Sequence, residues 1–303
     1  MEVIRIGEFN PNAMEKKVEI QPFETALHVA NNKRNNFACL KRLDYLLEFI
    51  EINHPKILLK YVENLTNKFQ DEIKENLLTN KKSILAKTSK ETKILSKYPR
   101  LIENTLNFSF QLLNIANNVN WMKDTVKVKQ GDYFRSYLIP TYYYLLVLAE
   151  TLGKEEGIKL FKRYISQFLR SQKTEQDLSF TTLEDSFKRN KNSIQYPSDW
   201  VMVIGLLSKA KYVFRNDNCL WIDALTDLQN KEIKYAICCY GDYQNAYTYS
   251  NENTVLTMEH TIAQGDPYCS RTKHDIRFDW NLEHPTKEFF DNMWPVPDKQ
   301  KKK

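Results

Sequence analysis

Glycine is scarce in this chain, with seven in 303 residues. Dinucleotide and P-loop sites need clustered glycines, and neither G-x-G-x-x-G nor G-x-x-x-x-G-K-[ST] occurs, which excludes both chemistries. Cysteine is nearly missing from the first 200 positions, where Cys39 stands alone. No C-x-x-C pair exists either, so the usual zinc knuckles are excluded. Long apolar runs are also lacking. The longest, Tyr137 to Ala149, is interrupted by Pro140 and rich in tyrosine, and it falls short of the roughly 20 residues a membrane span needs. The opening MEVIRIGEFNP has no apolar segment behind a basic start, so no signal peptide is expected. The expectation is a cytoplasmic protein without membrane association, whose cysteines stay reduced.

What is present supports a sizeable core. Hydrophobic residues make up 42%, with 17 Tyr and 16 Phe. The net charge of +6 is dispersed over Lys16-Lys17, Lys81-Lys82, Lys87 to Lys97 and the tail from Lys299. Such runs are solvated faces, so no nucleic-acid partner is expected. A mildly positive protein does suit a small acidic substrate.

Periodicity divides the chain. Leu40, Leu43, Leu47 and Ile50 predict one helix, and Leu58, Leu59, Val62, Leu65 and Phe69 a second, opened by Pro55. Leu101 to Ile115 predicts a third. Tyr137 to Leu152 predicts a fourth, closed by Gly153, and Lys154 onward a fifth. Residues 1 to 35 read as loop, with an Asn-rich patch near Asn31 and a short strand at Val3 to Ile6. Past Pro197 the texture changes: Trp200 to Leu207 and Tyr212 to Phe214 read as strands, Cys219 to Leu228 as a helix. Ile233 to Cys239 reads as either. Thr254 to His260 and Cys269 to Phe278 read as strands around a Gly265-Asp266-Pro267 turn. The fold class is α+β, an N-terminal helical bundle followed by a small mixed module with a short antiparallel sheet. The expected domains are a helical region over 1–130, an α+β domain over 131–297 and a disordered basic tail over 298–303.

Chemistry-bearing residues gather near the C-terminus. Cys219, Cys238, Cys239 and Cys269 lie close in sequence to Asp242, His260, Asp266 and His274. Thiols, carboxylates and imidazoles together are ingredients of a nucleophilic or metal site. The order is also specific. KYVFRNDNCLW sets Cys219 just past a strand, CCYGD gives Cys239-x-x-Asp242, and EHTIAQGDPYC ends in Gly265-Asp266-x-x-Cys269. This order resembles the L-2-amino-thiazoline-4-carboxylic acid hydrolase family, over about 135–278 and most closely over 211–271. Two departures stand out: His260 is near the place of the family's arginine before the threonines, and Ser270-Arg271 replaces Asp-Phe after the last cysteine. The closing Gly-Asp-x-x-Cys is also similar to that of small-molecule-binding domains named after vinyl reductases.

The first resemblance implies hydrolytic opening of a cyclic amidine-like, carboxylate-bearing ring by thiol- or metal-assisted attack of water. The second implies a non-catalytic sensor of a small molecule or metal. Cys219, Cys239 and Cys269 are the expected catalytic thiols, or their support. A helix start at Cys219 would lower its pKa. Asp242 and His260 are the acid–base candidates. Asp266 and Arg271 are expected to bind substrate. Lys273 is an alternative to Arg271, although for either an exposed cation on an edge strand is the commoner explanation. Adjacent Cys238 reads as a buried small hydrophobe. Cofactors are none or undetermined, with zinc or another divalent metal open. The tyrosines Tyr235, Tyr240, Tyr243, Tyr247 and Tyr249 read as cover for a sheet face. The partner is a small-molecule substrate, and a homo-oligomer is allowed.

Overall fold

The structure is a computed structural model that describes residues 1–10, 12–23, 37–172, 182–192, 199–250 and 252–296. The Asn-rich patch, Pro197 and the basic tail fall outside them. Two compact units arise. One is Met14–Tyr164; the other joins Met1–Ala13 to Ile165–Lys303.

The Met14–Tyr164 unit is helical. Its elements are α1 (Phe37–Asn53), α2 (Leu58–Glu72), α3 (Lys81–Glu91), α4 (Pro99–Leu112) and α5 (Gln130–Leu152). Most of the predicted stripe residues form its core: Leu40, Leu43, Leu47, Ile50, Leu65, Phe69 and Leu106 are all fully enclosed, whereas Leu59 is exposed. Pro55 starts a single 3-10 turn ahead of α2. Tyr61 Oη donates to the Tyr144 carbonyl at 3.0 Å, which pins α2 to α5. A strand pair joins β2 (Lys17–Ile20), in the stretch read as loop, to β3 (Val126–Lys129).

The second unit carries the sheet. After α6 (Lys154–Ser171) and α7 (Leu183–Asn192) come β4 (Met202–Ser208) and β5 (Lys211–Asn216), then α8 (Leu220–Asp223), α9 (Lys231–Cys238) and α10 (Gly241–Tyr249). The chain closes with β6 (Thr254–Met258), β7 (Cys269–Asp275) and α11 (Lys287–Met293). With β1 (Glu2–Ile6) these strands form one antiparallel sheet of order β1-β4-β5-β7-β6. The α+β expectation holds.

Side chains alternate across the sheet. Phe214 pairs with Arg271, Tyr212 and Leu256 pair with Lys273, and Asn216 pairs with Cys269, which sets these residues on one face. Met202, Ile204 and Tyr212 of that face pack with Leu183 and Phe187 of α7. The other face carries Val203, Val213, Arg215, Ser270, Thr272 and His274. Val203 and Val213 pack there with Tyr268, Phe290 and Met293. Arg215, wholly buried, is held by Asp217 at 2.7 Å and donates to the Phe290 and Trp294 carbonyls, which fastens α11 to the sheet.

Three expectations are corrected. Ile233 to Cys238 is helical, so Tyr235, Tyr240, Tyr243 and Tyr247 sit on or beside α9 and α10 and cover no sheet face as strand residues. The helix at Cys219 is a four-residue turn, and Asn218 before it accepts from Val201 N–H and donates to the Asp199 carbonyl. β7 is an interior strand, so Lys273 is no edge-strand cation.

Candidate functional site

The site grows from the period of β7. Cys269, Arg271 and Lys273 share one face, opposite α10, and an open cavity of about 240 Å³ lies over them. Its wall includes Arg271 and Lys273 from β7, Asp242 and Asn245 from α10, Phe214 from β5 and Leu256 from β6. Arg271 Nη1 meets Asp242 Oδ2 at 2.8 Å. Burial works against the Arg271 charge, but Asp242 and the sulfurs of Cys269, Cys239 and Cys219 outweigh it and raise its basicity.

All three predicted thiols therefore gather about one guanidinium. Cys269 Sγ also accepts from Ile262 N–H at 3.3 Å. None of the three lines the cavity. Burial, reinforced by neighbouring Cys269, pushes the Cys219 thiol up to about 12, which reverses the lowering anticipated from a helix start. Burial raises Cys239, Cys269 and Cys238 as well. A four-residue helix has too few aligned peptides to compete with that desolvation.

The remaining candidates sit elsewhere. His260 follows β6, with Nδ1 3.7 Å from Asp266 Oδ1 and its ring edge-on to Tyr268, a residue of the opposite face. Asp266 accepts from Thr261 N–H at 2.7 Å, a bond that braces the turn around left-handed Gly265. So Asp242, Arg271 and the three thiols converge, while His260 and Asp266 form a separate pair.

Lys273 lines the cavity, and burial lowers its basicity, with Asp242 opposing and Arg271 adding to the effect. On the opposite face runs a chain the motifs did not signal. Ser270 Oγ lies 3.1 Å from His284 Nε2, and His284 Nδ1 2.7 Å from Thr257 Oγ1. Thr257 Oγ1 lies 2.8 Å from His274 Nε2, and His274 Nδ1 2.6 Å from Asp279 Oδ2. Burial drives His284 down to about 4, helped by the charges of His274, His260 and Lys211, and it lowers His274 against the pull of Asp279. With both rings neutral, each donates through Nδ1 and accepts through Nε2, so every hydrogen in the chain has one direction.

A divalent metal does not fit the thiol cluster. Among the described residues no group of three or more His, Cys, Asp or Glu side chains is placed to hold one, and the Arg271 guanidinium already supplies the cation among the sulfurs.

Residues 134–272 match the family model for L-2-amino-thiazoline-4-carboxylic acid hydrolase. This segment is similar to that hydrolase family. The match takes in Cys219, Cys239, Asp242, Cys269 and Arg271, and the resemblance read from the Cys-x-x-Asp and Gly-Asp-x-x-Cys spacings stands. It stops short of Lys273, His274 and His284. No curated protein and no solved structure gives a significant match. No helix among the described residues is long and apolar enough to cross a membrane.

Proposed function

We propose that the protein is a hydrolase that opens a small cyclic amidine-like ring bearing a carboxylate, such as a 2-aminothiazoline-4-carboxylate. The observation that carries this reading is the pairing of cations and a carboxylate on one cavity wall. Arg271 offers charge to a substrate carboxylate, Lys273 lines the same wall, and Asp242 beside them offers an acceptor to an amidine N–H. The cavity is of a size for a small ring and far too small for a dinucleotide. The thiols serve as the bed of Arg271. Cys269 and its neighbours hold the guanidinium from behind, and water is the attacking group.

The test is incubation of the purified protein with 2-amino-thiazoline-4-carboxylate, with product followed by mass and by released thiol. The expected product is heavier by one water and is absent with Arg271→Gln. If the wild type leaves the compound unchanged but is thermally stabilised by it, the protein is a binding module, and the hydrolase reading fails.

A further inference from the structure

We propose that Lys273 is the catalytic acid–base of this cavity, its amine carrying protons between the attacking water and the ring atoms of the substrate. The assignment rests on the hydrolase reading above and names a residue just past the family match.

The two cations of the wall are held differently. Arg271 and Lys273 are two positions apart on one face of β7, yet Arg271 is engaged by Asp242 and by Cys269, whereas no hydrogen bond or ion pair among the described residues holds the Lys273 amine. The charged groups that face Lys273 are Arg271 on its own strand and Asp242 on α10. The other packed elements give it uncharged neighbours: Phe214 of β5, whose ring centre is 5.9 Å from Nζ, Leu256 of β6, and Leu183 of α7 on the same wall. An amine half enclosed beside Phe214 and Leu256, with a guanidinium close by, gives up its proton more readily than a free lysine does, and that is what acid–base work asks of it. The thiols behind Arg271 do not line the cavity, and burial keeps Cys219 protonated.

The steps balance as one addition of water. The water oxygen bonds to the amidine carbon while one of its protons passes to Lys273 Nζ. The C=N electron pair moves to the ring nitrogen, which takes that proton back. The new hydroxyl then gives its proton to Nζ as the C=O bond forms. The ring bond from this carbon to the departing heteroatom breaks with its electrons, and that heteroatom receives the proton. The amine ends as it began.

Two measurements test the assignment. Pulsed acetylation by acetic anhydride across pH, with peptide mapping, compares Lys273 with the exposed Lys56 in the wild type and needs no substrate. Turnover of 2-amino-thiazoline-4-carboxylate compares the wild type with Lys273→Arg, which keeps the charge but cannot lose its proton. The expected result is acetylation of Lys273 at lower pH than Lys56. In Lys273→Arg, kcat should fall roughly 100-fold or more with KM little changed, and the alkaline rise of the pH profile should disappear. Acetylation of both lysines in the same pH range, or a Lys273→Arg enzyme of near wild-type kcat, overturns the proposal. Early acetylation of Lys273 in a wild type that turns nothing over overturns the hydrolase reading while leaving the poised amine in place.

Discussion

Arg271 Nη1 stands 2.8 Å from Asp242 Oδ2, so a strand and a helix from distant parts of the segment are joined across the cavity wall. Removing one partner strands the other. Asp242→Asn is expected to cost about 1–2 kcal/mol in urea unfolding, less than for a fully enclosed pair because both side chains keep some exposure. The double variant Asp242→Asn with Arg271→Met should lose at least ~0.5 kcal/mol less than the sum of the single changes. Strict additivity would mean the two side chains do not support each other.

The thiols should be slow. Iodoacetamide near neutral pH is expected to leave Cys219, Cys239 and Cys269 unlabelled in the folded protein and to label all three once urea unfolds it, since burial holds Cys219 up to about 12 and raises the other two. Peptide mapping reads the result. Fast native labelling of any one of them at neutral pH would restore a thiolate nucleophile.

The two histidines of the Ser270–Asp279 chain give stability a pH dependence of known sign. His284 falls from its ordinary 6.5 to about 4 on folding, and His274 falls too. The unfolded chain therefore binds these protons first. The stabilising contribution is whole above 6.5 and drains as pH drops from 6.5 toward about 4. The urea midpoint of the wild type should decline through that window, and that of His284→Gln should decline less. Equal slopes would show that His284 is not charged on unfolding.

Gly265 holds φ of +105°, with a Cβ there meeting Lys231 Nζ at 2.9 Å. The lysine tip moves easily, so the cost of Gly265→Ala is set by the backbone, about 1–2 kcal/mol. A melting temperature unchanged by Gly265→Ala would show that the turn relaxes out of the left-handed region.

Much of the fold was legible where periodicity was strong. The stripes Leu40–Ile50 and Leu58–Phe69 became α1 and α2 because each buries one face, and the Gly-Asp turn before Cys269 announced β7. The thiol cluster with Asp242 was legible from spacing, and its segment matches the family. Their environment was not. Whether Cys219 is depressed or raised depends on how deeply the sheet and its helices bury it. Lys273 was misplaced because a strand's position within a sheet is a fact of pairing, set here by β5 and β6 on either side. Ser270, Thr257, His284 and Asp279 carry no motif, since nothing local brings Thr257 to His284. α10 hid behind aromatic residues that favour strands.

β1 has its own consequence for how the molecule is made. Glu2 to Ile6 pairs with Met202 to Leu206, so the first strand leaves the ribosome about 200 residues ahead of its partner. At ordinary synthesis rates it waits for about 10–40 s with an unpaired edge, while the Met14–Tyr164 unit has time to fold. The sheet that carries Arg271 and Lys273 then assembles after the Met14–Tyr164 unit.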